Sequence, residues 1–201
     1  MFTLVIQAGG ESRRMGQDKA LAPFLGQPLI QRVLERVTHL PDEVLVTTNR
    51  PDDFRFLSIR LVSDQMPGYG ALGGLYTALS AASHPLVGVI ACDMPFVNAS
   101  LLAAQRDRLA ESGNDAVVPQ GKSGLEPFHA VYRRTACLPL IQSALEAGKR
   151  RVDSWFAQAR ITFISPEEVQ IHDPQQMAFY NINTLEELLL AEQIAQESPW
   201  L

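Results

Sequence analysis

The chain has 201 residues, 46% of them hydrophobic, and a net charge of −5, so it is about one domain's worth and can bury a sizeable core. No apolar run approaches the roughly 18 to 20 residues that cross a membrane, and the acidic balance argues against a broad nucleic-acid surface. The two cysteines, Cys92 and Cys137, form no CxxC pair and have no histidines at ligand spacing, which argues against a structural zinc site.

The opening MFTLVIQAGG lacks a basic n-region, and its apolar stretch is too short for a signal peptide. It reads as the first core strand, residues 2–6, of a mature cytoplasmic protein. Residues Leu29, Ile30, Val33, Leu34, Val37 and Leu40 repeat at helical spacing. Strands are expected at 43–48, 59–63, 86–92 and 115–118, with helices at 72–82 and 101–109 between them. Beyond residue 120 come an extended stretch FHAVYR, a helix near 135–147, a second helix at 151–158 and a strand ITFIS. Thr184 and Glu187 make a capping box, so a last helix starts near 185. This alternation predicts an α/β fold with a parallel sheet covered by helices on both faces. No linker divides it, so a single domain spans 1–201, with a nucleotide-binding half at 1–119 and an acceptor-binding half at 120–201.

In such sheets ligands sit beyond the carboxyl ends of the strands, which singles out the loops 7–19, 47–50, 64–71 and 93–97. The first reads QAGGESRRMGQDK. A loop that wraps phosphates needs glycines, so that backbone N–H groups come close, and fixed cations for the remaining charge. Gly9, Gly10 and Gly16 supply the former; Arg13, Arg14 and Lys19 supply the latter. A solvated surface turn is the plainer alternative, and its place at the end of the first core strand favours phosphate. Asp93, at the end of strand 86–92, suits a magnesium ion that bridges phosphate oxygens, or else a helix N-cap. A second basic concentration, Lys149, Arg150 and Arg151, and the stretch Asn181-Ile182-Asn183 are acceptor-side candidates. They equally fit a solvated helix terminus and a turn that starts a helix. Glu126 and His129 line the same cleft or belong to a strand with a core histidine.

Two further patterns compete. GKS at 121–123 resembles the end of a P-loop, but Ala116 stands where its first glycine belongs. Gly68-Tyr69-Gly70-Ala71-Leu72-Gly73 is a literal GxGxxG, which would make an NAD-dependent oxidoreductase. The polar residues Asp64–Pro67 separate it from the preceding strand, and that reading leaves the 7–19 loop idle. A non-catalytic nucleotide-binding module is the rival of another class. Joint presence of Lys19 and Asp93 speaks against it.

The spacing AGG-x-S-x-RMG-x-DK in Ala8–Lys19 resembles the signature of nucleotidyltransferases, most closely the molybdenum cofactor guanylyltransferase family. The resemblance continues through Thr47-Thr48-Asn49, Asp64, Cys92-Asp93-Met94-Pro95, Glu126-Pro127, Gly148–Val152 and Asn181–Thr184. It implies a Rossmann-like three-layer α/β/α sandwich with a mostly parallel central sheet, of nucleotide-diphospho-sugar transferase type. It also implies transfer of GMP from GTP to the terminal phosphate of molybdopterin, with pyrophosphate released. On that reading Lys19, Arg13 and Asp93 are catalytic. GTP is held by Gln7, Ala8, Gly9, Gly10, Lys19, Thr47, Asn49, Asp64 and Asp93, with magnesium on Asp93. The acceptor falls to Glu126, Arg150, Arg151, Asn181 and Asn183. The implied partners are GTP and molybdopterin or molybdenum cofactor, with no nucleic acid or membrane and with room for transient contact with proteins that deliver or receive the cofactor. AGG, against AAG in related cytidylyltransferases, leans toward GTP over CTP. Gln7 stands where Leu is usual, Thr47 where Asn is common, and Gly70–Gly73 replaces a Gly-Pro-Leu-Ala-Gly turn; all three fall near the expected base pocket.

Overall fold

The fold is a computed structural model that describes residues 1–9 and 18–198. Expectations for Gly10, Arg13, Arg14 and Gly16 therefore lie outside the described residues. Strand β1 (Phe2–Gln7) lies inside the sheet, buried on both faces from Phe2 to Ile6. It pairs in parallel with β4 (Glu43–Thr47) on one side and β6 (Leu86–Ala91) on the other. Strand β5 (Arg60–Val62) continues the parallel set beside β4.

The FHAVYR stretch supplies β9 (His129–Arg133), which enters antiparallel between β6 and β7 (Ala116–Gly121). Beyond it, β10 (Ile161–Ile164) runs parallel to β7. The order is β10-β7-β9-β6-β1-β4-β5, with the short β8 (Gly124–Leu125) off β7. A small separate hairpin, β2 (Pro23–Phe24) and β3 (Gln27–Pro28), turns through Leu25 and Gly26, both at positive φ.

Strand alternation sorts the core into two layers. Phe2, Leu4, Ile6 and Ile90 face α1 (Leu29–Val37), α3 (Ala99–Glu111) and α5 (Pro166–His172). Val5, Val87, Val89 and Tyr132 face α2 (Gly70–Ala81) and α4 (Arg134–Glu146). The result is a three-layer α/β/α sandwich with a mostly parallel sheet, as expected from the alternating elements. At Gly88 in β6 an added Cβ would lie 2.6 Å from Phe2 Cζ and 2.9 Å from Leu4 Cδ1, so that face has room only for hydrogen.

Besides the β2–β3 hairpin, β8 and the antiparallel β9, three segments depart from the sequence reading. Residues 151–158 are not an α-helix: turns run through 152–155, and only Phe156–Gln158 makes a 3₁₀ turn. Local bonds compete there, since Ser154 donates both its N–H (3.2 Å) and its Oγ hydroxyl (2.7 Å) to the Arg151 carbonyl. A 3₁₀ segment occupies Pro51–Leu57, where no element was expected. Helix α5 was also not anticipated, although Ser165, Pro166 and Glu168 provide a capping box with proline at the first helical position.

The last helix, α6 (Leu185–Glu197), begins at the expected Thr184 cap. It forms a third cluster with the hairpin: Phe96 meets Phe24 and Tyr180 edge-on, at ring separations of 6.4 and 5.8 Å, around Ile182, Leu188 and Ala191. This packing draws the segment before α6 to the end of the central sheet. There Ile182 N–H donates to the Asp93 carbonyl at 2.9 Å.

Candidate active site

Strands β1, β4 and β6 are in register at their ends, Gln7 lying beside both Thr47 and Ala91. Chain continuity holds just past them: Ala8 N–H donates to Thr47 O at 2.8 Å and Cys92 N–H to Gln7 O at 3.0 Å. A cleft of about 1210 Å³ opens at this edge. It brings together Gln7, Ala8, Gly9, Lys19, Thr47, Asn49, Asp64 and Asp93, all named from the sequence as nucleotide-holding. Their span along β5, β4, β1 and β6 gives the cleft two ends. Asn49 and Asp64 lie at one; Asp93 and Phe128 lie at the other.

Lys19 sits on a 3₁₀ turn, Lys19–Leu21, that Asp18 caps by accepting the Ala20 N–H at 2.9 Å. Its ammonium donates to Asn183 Oδ1 at 2.8 Å and reaches Asp93 Oδ2 at 3.4 Å, both lysine and aspartate being mostly buried. Asn183 is in turn fixed by the capping box of α6, whose Glu187 carboxylate accepts the Thr184 N–H at 3.0 Å. Burial pushes the Asp93 carboxyl up from its ordinary range, and the Lys19 charge pulls against that rise. Burial, reinforced by the charge of Asp93, pushes the neighbouring Cys92 thiol well up, so this cysteine is not an activated nucleophile.

At the other end the Asp64 carboxylate is anchored. Its Oδ1 accepts the Thr77 hydroxyl at 2.7 Å and the Met66 N–H at 2.9 Å. Asn49 Oδ1 accepts the Asp64 N–H at 3.3 Å. Gln7 lies over Gly74 of α2, where a Cβ would be 3.2 Å from its Oε1, and its buried Nε2 has no hydrogen-bond partner among the described residues.

The acceptor-side candidates scatter more widely. Arg150 reaches the cleft's lip through its backbone, its carbonyl accepting the Leu72 N–H at 3.2 Å in the first turn of α2. Arg151 folds back onto Asp153 at 2.8 Å in full exposure. Asn181 is exposed beside the buried Ile182. Glu126 lies over Gly121, where an added Cβ would be 2.8 Å from its Oε1, and does not line the cleft; burial pushes its carboxyl up to about 7. His129 is a fully buried core residue of β9, stacked edge-on against Phe179, with its ring pushed down to about 4 by burial. Its Nε2 accepts the Asn98 N–H at 3.4 Å, while Nδ1 has no partner among the described residues.

Sequence reasoning missed Arg50, Thr77 and Phe128, which also line the cleft. Arg50 pairs with the Asp18 carboxylate and lies 3.5 Å from Asp53. Its only signal was its place after Asn49 at a strand end. Thr77 had a clearer one, as a hydroxyl on the buried stripe of α2.

A parallel sheet that gathers a lysine, a strand-end carboxylate and anchored polar groups in one cleft has the features of a nucleotidyltransferase of nucleotide-diphospho-sugar transferase type. The chain is that kind of enzyme. Residues 4–161 match the MobA-like NTP transferase domain, and the chain belongs to that family. The molybdenum cofactor guanylyltransferase of Desulfosudis oleivorans is 35% identical over 191 residues, covering 94% of each chain. That of Syntrophotalea carbinolica is 31% identical, covering 91% of this chain and 87% of the relative. Among solved structures, the molybdopterin-guanine dinucleotide biosynthesis protein A of Archaeoglobus fulgidus superposes with a TM-score of 0.84 at 26% identity, over 97% of this chain and 99% of that one. The 4-diphosphocytidyl-2C-methyl-D-erythritol synthase of Anaerococcus prevotii shares the fold, with a TM-score of 0.73 at 14% identity, over 97% of this chain and 98% of that one.

Proposed function

We propose that this enzyme transfers GMP from GTP to the terminal phosphate of molybdopterin and releases pyrophosphate. The full-length likeness to guanylyltransferases supports the substrates. The observation that carries the chemistry is Lys19, held between Asn183 and Asp93 from two distant segments.

On this reading an oxygen of the acceptor phosphate bonds to the α-phosphorus of GTP as the bond to the β-phosphate oxygen breaks. A phosphate monoester has a second pKa of about 6, so the acceptor is already mostly dianionic at neutral pH and needs no general base. The barrier is the approach of two anions, which positioning and fixed charge relieve. Lys19 neutralises charge on the departing pyrophosphate, an effect of about 3 kcal/mol for a well-placed group. Asp93 fits a magnesium ion, since its carboxylate is a hard oxygen donor at the cleft and Mg²⁺ takes one or two carboxylates with phosphate and water. When bound there, the ion supplies charge stabilisation on phosphate oxygens. Among the described residues no group of three or more His, Cys, Asp or Glu could hold a metal.

On this reading Asp64, Asn49, Thr47 and Gln7 take the base, and Arg150, whose carbonyl accepts the Leu72 N–H at the start of α2, is assigned to the acceptor. No helix among the described residues is long and apolar enough to cross a membrane, and we place the enzyme in the cytoplasm. The deciding experiment is magnesium-dependent pyrophosphate release with purified protein, molybdopterin and either GTP or CTP. Release with GTP and not CTP is expected; the reverse preference overturns the guanylyl assignment.

A further inference from the structure

We infer that Thr77 is a positioning residue that aims the free oxygen of Asp64 at the donor edge of the base, so that preference for guanine depends on this buried hydroxyl. The inference rests on the guanylyl reading above.

Thr77 lies about two turns into α2 and is completely buried among Leu72, Leu75, Ala78 and Leu79. A buried threonine inside a helix can satisfy its hydroxyl by bonding back to the carbonyl three or four residues earlier. Here the hydroxyl instead leaves the helix: it donates to Asp64 Oδ1 at 2.7 Å and accepts the Gln65 N–H at 3.0 Å. Both capacities of the hydroxyl are therefore used on the turn that follows β5. The Met66 N–H adds a second bond to the same Oδ1 at 2.9 Å. With Oδ1 doubly occupied, the carboxylate plane is fixed. Oδ2 makes no hydrogen bond among the described residues, and Asp64 lines the cleft.

A carboxylate oxygen can only accept. Guanine offers two neighbouring N–H donors on one edge, the ring N1–H and the exocyclic 2-amino group. Cytosine offers a single exocyclic amine. A fixed acceptor rewards the 2-amino group only while its direction is held, and a site built for a hydrogen bond strongly rejects an analogue lacking it. Loss of the anchor frees the carboxylate to rotate toward water, and that selectivity goes with it.

The test compares GTP with ITP, which lacks the 2-amino group, in steady-state assays of the whole enzyme with molybdopterin. Wild type should prefer GTP in kcat/KM by about tenfold or more. Thr77→Val, which keeps the shape and removes the hydroxyl, should raise the KM for GTP about tenfold, hold kcat within about twofold and reduce the GTP/ITP preference to about twofold. Thr77→Ser should restore it. A merely structural threonine would lower stability and affect both nucleotides equally, so a Thr77→Val enzyme that kept the wild-type ratio overturns the inference, as does failure of Thr77→Ser to rescue. Should Thr77→Val not fold, Asp64→Asn serves: it replaces one acceptor by a donor, and retention of the wild-type ratio overturns the inference equally. Wild type that used CTP in preference to GTP would instead bring down the guanylyl assignment, and this inference with it.

Discussion

Lys19 and Asn183 are separated by 164 residues, yet the lysine ammonium donates to the asparagine side chain at 2.8 Å. The asparagine is held by the cap of α6, and α6 is held by Phe24, Phe96 and Ile182. Orientation of the lysine thus depends on the last helix of the fold. Asn183→Ala is expected to lower kcat about tenfold, against about 100-fold for Lys19→Ala, with the double variant no worse than the lysine change alone. A double-mutant cycle in single-turnover assays checks this, and strict additivity would mean that the two act independently.

Asp93 offers the strand-end carboxylate next to this lysine. Asp93→Ala is expected to reduce magnesium-dependent turnover by at least about 100-fold while leaving the far-UV circular dichroism unchanged. Near-normal turnover would remove Asp93 from the metal role.

Gly73 and Gly74 are adjacent in α2 but face different surroundings. A Cβ at Gly73 would lie 2.8 Å from both Met66 O and Tyr69 Cβ, whereas one at Gly74 would lie 3.2 Å from the end of the Gln7 side chain. Backbone cannot yield as a side-chain terminus can. Gly73→Ala is therefore expected to destabilise by about 2 kcal/mol and displace the 64–69 turn, raising the KM for GTP about tenfold. Gly74→Ala should cost less than about 1 kcal/mol. Urea unfolding and GTP titration of both variants give the comparison.

Glu126 and His129 make opposing contributions to stability as pH changes. Burial pushes the Glu126 carboxyl up to about 7, so its contribution is full below the unfolded value near 4.5 and is lost as pH rises through 7. Burial pushes His129 down to about 4, so its contribution is full above the unfolded value near 6.5 and is lost as pH falls through 4. Thermal melts should show Glu126→Gln gaining on wild type between about pH 4.5 and 7. After allowance for partial exposure of the carboxyl, the gain is about 1 kcal/mol, or roughly 3 °C. His129→Gln should flatten the acid limb, where the wild-type term amounts to about 3 kcal/mol. A Glu126→Gln melt curve parallel to wild type would mean that this carboxyl is solvated in the folded state.

Much of the site was legible in the chain because its parts are local. A run of apolar residues buried on both faces marks a central strand, and strand ends are where ligands bind, so the loops holding Gly9, Lys19 and Asp93 could be named without coordinates, while Gln7, Ala8, Thr47, Asn49 and Asp64 were picked out by the family resemblance. The FHAVYR stretch read as extended, but its antiparallel entry between β6 and β7 depends on which neighbours share hydrogen bonds, which periodicity does not record. The helical reading of 151–158 failed because the Ser154 hydroxyl donates to the Arg151 carbonyl in competition with helix, while the Asp153 carboxylate accepts from the Arg151 guanidinium.

What the sequence by itself determined was the period of the core strands and of most helices, the chemistry-bearing loops and, through their spacing, the family. Only the tertiary structure decided which of those residues meet. It set Lys19 against Asn183, turned the Thr77 hydroxyl onto Asp64, seated Gln7 over Gly74, and left Arg151 and Glu126 outside the cleft. The physical reason is that hydrophobic periodicity reports how a segment is buried, whereas a hydrogen bond between distant residues exists only once several buried faces have packed and fixed the distance between them.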